Sequence, residues 1–104
     1  MNKDEKTLLL LDNLQNLLEN QIQMARKSNF RRVEELAMQA DSIVARIIGT
    51  TTFERSEFDT VRNNISSLYK RLELILITGE DSVKKQLRQV SDGRKTLQAY
   101  GDSA

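Results

Sequence analysis

Apolar residues recur at alternating spacings of three and four between Asp4 and Ile48, which is typical of a helix that packs through one seam against another helix. The seam is out of register by one residue between its two halves, so we expect a stutter or a short break near Asn29. Asn29 or Ser28 has the chemistry to cap a new helix, and the arm is therefore either one helix or two. The seam consists of Leu8, Leu11, Leu18, Ile22, Ala25, Val33, Leu36, Ala40, Ile43 and Ile47.

A turn is expected after this seam. Gly49 stands where a left-handed C-terminal cap is common, and three threonines follow it. Thr51 and Glu54 have the spacing of a capping box, so a second helical arm should begin near Phe53. The apolar spacing of that arm slips at Gly79 and then resumes; its members are Phe58, Val61, Ile65, Leu68, Leu72, Ile75, Val83, Leu87, Val90 and Leu97.

These patterns predict an all-α fold, a long antiparallel helical hairpin of two or three helices in a single domain over 1–104. The arms cover about 4–48 and 53–100, the turn about 49–52, and a frayed tail 101–104. Equal rise in both arms predicts that facing residues have numbers summing to about 100, which places the breaks near Asn29 and Gly79 opposite each other. Dimerisation would complete a bundle. The absence of proline and the four glycines agree with a helical chain.

The sequence holds more apolar residues than a two-helix seam can cover, which predicts a surface for a partner. Leu10, Leu14, Leu17 and Met24 form a second stripe beside the first seam. The predicted client-binding residues are Leu10, Leu14, Leu17, Met24, Val83, Leu87 and Val90. Two alternatives stay open at this point, since a dimer or a segment from Val83 onward that folds back as a third helix would cover the same stripe.

The side-chain inventory argues against catalysis. The chain contains neither histidine nor cysteine, so the usual general base, thiol nucleophile and transition-metal ligands are missing, and we expect no enzyme, no cofactor and no metal. Basic residues at Arg31, Arg32, 84–88 and 94–95 lack interleaved aromatic residues, so they are interpreted as polar faces rather than a nucleic-acid site. Binding of an anion or of an acidic patch on a protein stays open as the alternative for them. The net charge is +1 with both signs interspersed, and no apolar run is long enough to insert into a membrane.

Three segments of the chain together resemble the FlgN and FliT group of flagellar export chaperones: LLENQIQMARKSNFRRVEELAMQADSIVARI, NNISSLYKRLELIL and SDGRKTLQAYG. The resemblance implies a bacterial cytoplasmic chaperone that binds the C-terminal amphipathic helices of a hook-associated or filament-cap protein. It also implies delivery of that client to the export gate and its ATPase, with Tyr100 at the position tied to export-gate contact. The chain departs from the group where 27–30 replace a glycine-acid turn.

Two functions therefore follow from the sequence. One is an export chaperone whose apolar stripe receives a client helix. The other is a structural coiled coil or small regulatory adaptor that acts through homo-oligomerisation, with the same stripe as a permanent interface. For Tyr100 the alternative to the export-gate contact is packing on the N-terminal leucines.

Overall fold

The computed structural model describes residues 2–50, 52–78 and 84–101, and these residues form four α-helices. Helix α1 is Lys3–Arg26, α2 is Phe30–Thr50, α3 is Asp59–Ile77 and α4 is Lys84–Gly101, with a short 3-10 turn at Ser56–Phe58 before α3. No strand occurs within the described ranges. The predicted all-α fold class is confirmed, with four helices instead of the two or three expected.

The predicted break near Asn29 separates α1 from α2. Ser28 adopts a left-handed conformation with φ of 59°, and its N–H donates to the carbonyl of Ala25 at 3.0 Å. The N–H of Asn29 reaches back to the carbonyl of Met24 at 2.9 Å, so the two bonds close α1 as a Schellman motif with serine at the usual glycine position. The Asn29 side chain then accepts from the N–H of Arg32 at 3.3 Å, which caps α2 as predicted.

Each predicted arm is folded in half, and the two resulting hairpins are stacked. Helix α1 packs on α2 and α3, while α4 packs on the same two helices from the opposite corner of the bundle. Asp4 pairs with Arg55 at 2.9 Å, 51 positions apart in sequence, and Glu34 pairs with Lys85 at 2.8 Å with the same offset. In these two pairs, which join one hairpin to the other, the residue numbers differ by 51. The prediction that the numbers of facing residues sum to about 100 is therefore wrong.

The overall dimensions agree with stacked hairpins. The long axis is 42 Å, whereas a continuous helical arm of the predicted length would span roughly 68 Å at 1.5 Å rise per residue. The bundle is completed within one chain, because α3 and α4 supply the surfaces that a second copy would otherwise provide.

The connection between the two hairpins differs from the predicted turn. Gly49 lies inside α2 without a positive φ, and α2 continues to Thr50, whose hydroxyl donates to the carbonyl of Ile47 at 2.6 Å. Phe53 is buried in a non-helical turn, so the expected helix start near Phe53 is wrong, as is the left-handed cap at Gly49. The physical reason is that Phe53 and Phe58 both insert into the core and fix the path from α2 to α3.

Two expectations fall on residues outside the described ranges. Thr51 of the predicted capping box is one of them, and the frame slip at Gly79 lies within 79–83, also outside. Around that second segment, α3 ends at Ile77 and α4 begins at Lys84. Within the predicted frayed tail 101–104, Gly101 is the last residue of α4, and 102–104 lie outside the described residues.

Candidate functional site

The predicted client-binding residues lie inside the bundle rather than on an open stripe. Leu10, Leu14 and Val90 are buried, with Leu14 fully enclosed, and Leu17, Met24 and Leu87 pack against the core with partial exposure. Val83 is outside the described residues. The expectation that Leu10 and Leu14 are left uncovered is wrong, because the second hairpin packs on the first and covers them.

Helix α4 contributes few apolar side chains to the core. Within its described part, Val90 is the only large apolar side chain that it buries, and Leu87 and Leu97 are half-buried. The amide of Gln86 is also buried, and its Oε1 has no hydrogen-bond partner, nor does the buried Oε1 of Gln89. Since a buried polar atom without a partner costs stability, α4 is held by a poorer interface than α1.

The contacts that fasten α4 to the rest of the described bundle include two ion pairs and one close approach. At its start, Lys85 pairs with Glu34 of α2 at 2.8 Å. In its middle, Gly93 allows close approach, because a Cβ there would lie 2.9 Å from Oδ1 of Asp41. One residue later, Nε of Arg94 lies 2.8 Å from Oε1 of Glu73 on α3. The interface of α4 thus depends on ion pairs and on the close approach that glycine permits, in place of extensive apolar packing.

The hydroxyl of Tyr69 on α3 lies at the junction where Gly93 of α4 approaches Asp41 of α2. The side chain is 2% exposed, and its Oη has no hydrogen-bond partner. Burial, followed by the charges of Asp41 and Glu73, raises the pKa of Tyr69 well above its ordinary value. Burial also raises the pKa of Asp41, although the hydrogen bond that its carboxylate accepts from the Gln89 side chain acts to lower that pKa.

Sequence reasoning missed this junction. The signal available was Gly93, a helix-weakening residue in the middle of an otherwise helical segment, which often marks close approach of a neighbouring element. The partners of Gly93 lie on two other helices, and no spacing in the sequence connects them.

Grooves on the surface of the described residues include one beside α3 and one beside α1. One, of about 380 Å³, lies between α3 and α4 near the 3-10 turn and is lined by residues including Phe53, Asp59, Arg62, Tyr69, Arg94 and Leu97. The other, of about 490 Å³, lies between α1 and α2 and has no charged residue in its lining, which comprises Asn13, Asn16, Leu17, Asn20, Gln39, Ser42 and Ile43. Leu17 is the predicted client-binding residue that an open groove reaches.

Several large apolar side chains remain exposed. Leu8 and Leu9 lie on the first turns of α1, and Leu74 and Ile77 lie on the last turns of α3, where they are 63% and 60% exposed. Tyr100 is about half exposed at the end of α4. Helices α1 and α4 lie at opposite corners, so a tyrosine on α4 has no extensive packing surface on α1. The export-gate role of Tyr100 stays a prediction.

The described residues contain no group of three acidic side chains placed to hold a metal ion. None of the described helices is both long enough and apolar enough to span a membrane. The described residues therefore form a small bundle of four α-helices, in which α4 is held largely by polar contacts. Comparisons with family models, with curated proteins and with solved structures gave no match.

Proposed function

We propose that this protein is a non-enzymatic, cytoplasmic export chaperone that binds an amphipathic helix of a flagellar hook-associated or filament-cap protein and delivers it to the export gate and ATPase. The resemblance of three segments to the FlgN and FliT group supports this proposal, and so does the interface of α4. The observation that carries the proposal is that α4 buries only Val90 among its large apolar side chains.

The closed bundle requires an exchange of helices for client binding. Leu10 and Leu14 have no free surface in this state, so a client cannot simply lie across them. A client helix would instead replace α4 against α2 and α3. Each large apolar side chain that it buries beyond those of α4 contributes roughly 1.5 to 3 kcal/mol, which favours exchange with a strongly amphipathic helix. Leu87 and Val90 then occupy the client's place in the resting protein.

A reversible tether of α4 tests the exchange. The chain has no native cysteine, so Asp41→Cys combined with Gly93→Cys introduces a single pair at positions where a Cβ at 93 would contact the side chain at 41. We expect a peptide of a client's C-terminal helix to bind the reduced protein and to lose binding when the disulfide forms. The reduced and oxidised forms of the same variant are matched controls for any effect of the substitutions.

Two results would count against the proposal in different ways. Equal peptide affinity in the two redox states contradicts helix exchange, and no binding to the native chain or to either state contradicts the chaperone itself. Tyr100→Ala should leave peptide affinity unchanged while reducing secretion of the client in cells, because Tyr100 lies at the exposed end of α4.

The second candidate is a structural or adaptor protein that acts by homo-oligomerisation. The exposed pairs Leu8 with Leu9 and Leu74 with Ile77 favour it, since exposed apolar clusters mark association surfaces. Sedimentation over a concentration series separates the two: a tight oligomer that does not dissociate on dilution favours the structural role, and a monomer or weak dimer favours the chaperone.

A further inference from the structure

The four helices bring two distant basic segments to one end of the bundle. Helix α1 ends there at Arg26, α2 begins there at Phe30, and the ion pair between Glu34 and Lys85 places the start of α4 beside the start of α2. Helix α3 ends at Ile77, shortly before α4 begins. We call this the basic end, defined by residues 26–35, 74–78 and 84–88. Asp4 and Arg55 mark the opposite end.

The charge of the basic end exceeds that of the whole chain. All of its basic side chains are exposed, and they number seven: Arg26, Lys27, Arg31, Arg32, Lys84, Lys85 and Arg88. Glu34 and Glu35 are the acids within the same described segments. Even when Glu80 and Asp81 of the intervening sequence are included, segments 26–35 and 79–88 carry a net charge of +3, while the rest of the chain carries −2.

The ion pairs at this end leave its positive charge in excess. Arg31 and Arg32 both approach Glu35, at 3.9 and 2.9 Å, and Lys85 approaches Glu34. The side chain of Arg31 is 93% exposed and that of Lys85 is 75% exposed, so these pairs are weak and open to an external anion. Two helix N-termini and two C-termini meet here, so the helix dipoles oppose one another and the side chains set the potential.

Exposed apolar residues lie beside this charge. Leu74 and Ile77 are three residues apart on α3, so they lie on one face of its last turns, and each is more than half exposed. Lys70 and Arg71, also exposed, precede them by about one turn. A basic surface with a small apolar projection has the composition of segments that bind the interface of an anionic bilayer.

We propose that the basic end is a peripheral docking surface for an anionic lipid membrane. The basic residues come from three helices arranged around the end of a bundle that is 26 by 19 Å across, rather than along one line. A flat membrane surface can contact basic residues on all three helices simultaneously. A peptide helix needs a groove, and neither of the two grooves described above is lined by residues of the basic end. Lipid headgroups contact the basic residues, and Ile77 enters the interface.

Vesicle binding by the full chain tests this proposal. The probes are phosphatidylcholine vesicles with and without phosphatidylserine, and bound protein is measured by co-sedimentation at low and at physiological salt. We expect binding only to the phosphatidylserine vesicles, with an affinity that falls as salt rises. Arg31→Glu with Arg88→Glu should weaken binding at least about tenfold, because each position changes from attraction to repulsion.

The matched control makes the same charge change elsewhere. Arg46 and Lys95 are exposed on the halves of α2 and α4 distant from the basic end. Arg46→Glu with Lys95→Glu should therefore alter vesicle affinity by no more than about twofold. Ile77→Ser should weaken the binding that remains at physiological salt while leaving the charge intact. Circular dichroism of each variant verifies that the bundle is folded.

Several outcomes would overturn the proposal. Equal binding to vesicles without phosphatidylserine would indicate nonspecific adsorption, and equal losses in the two double variants would exclude a localised surface. No binding to either vesicle would exclude the membrane as a partner. Tighter binding to soluble polyglutamate than to the phosphatidylserine vesicles would assign the basic end to an acidic protein segment instead.

Discussion

Arg94 of α4 donates from its Nε to both carboxylate oxygens of Glu73 on α3, at 2.8 and 3.0 Å. The Arg94 side chain is 22% exposed and that of Glu73 is 12% exposed, so the pair is largely shielded from water. It lies on the helix that buries the fewest large apolar side chains. A charged hydrogen bond therefore supports α4 where apolar packing is thin.

Removal of Arg94 should loosen α4. Arg94→Ala leaves the Glu73 carboxylate largely buried without its partner, and we expect a loss of about 2 kcal/mol in the free energy of unfolding. Urea unfolding followed by circular dichroism measures this change. The exposed Arg46 supplies the control, since Arg46→Ala should cost less than about 0.5 kcal/mol. Equal effects of the two substitutions would show that the ion pair does not hold α4.

Gly49 of α2, which is exposed, and Gly93 of α4, which is buried, should respond differently to alanine. A Cβ at Gly49 meets nothing within 4 Å, so Gly49→Ala should stabilise the protein by about 0.5 to 1 kcal/mol through helix propensity alone. At Gly93 the added carbon must displace the Asp41 carboxylate, and Gly93→Ala should lose this gain or destabilise the protein. Thermal unfolding of both variants measures the difference. Destabilisation by Gly49→Ala would instead support a left-handed cap at Gly49.

The cost in unfolding free energy of replacing an N-terminal leucine by alanine should follow the burial of that leucine in the structure, not its place in the apolar pattern of the sequence. Leu14 is fully buried, so Leu14→Ala should cost about 3 kcal/mol by leaving a cavity in the core. Leu9 is 49% exposed, and Leu9→Ala should cost less than about 1 kcal/mol. Denaturant midpoints of the two variants check this contrast. A small cost at Leu14 would mean that the stripe is exposed after all, as the sequence alone suggested.

The buried hydroxyl of Tyr69 should oppose stability at neutral pH and more so in alkali. Tyr69→Phe removes an oxygen that has no partner, so we expect a gain of about 1 kcal/mol at neutral pH. The raised pKa means that the folded state favours the neutral phenol, so stability falls as pH rises above the unfolded value of about 10.

The pH dependence gives the measurement for Tyr69. Urea unfolding of the native chain and of Tyr69→Phe, at neutral pH and above the unfolded tyrosine pKa, should show the difference between them growing with pH. A constant difference across that range would mean that Tyr69 is accessible to water in the folded protein.

The sequence by itself determined the features that depend on neighbouring residues. Apolar periodicity and the absence of proline predicted the all-α class. The polar group at 27–29 predicted a stutter or a break with Ser28 or Asn29 as a cap, and the structure has the break with the Asn29 cap. These features depend on bonds between residues three to five apart, which a linear pattern records. The core residues along the seams, such as Leu18 and Leu72, were predicted for the same reason.

Tertiary structure alone decided which surfaces cover one another. A heptad pattern shows that a helix has an apolar face, but the same face packs equally well on an opposite arm, a second copy or a stacked hairpin. The offset between Asp4 and Arg55, the burial of Leu14 and the meeting of Asp41, Tyr69 and Gly93 follow from the stacked arrangement. The basic end has the same origin, because segments 26–35 and 84–88, which are distant in sequence, meet there. Their meeting concentrates charges that the linear sequence intersperses with acids.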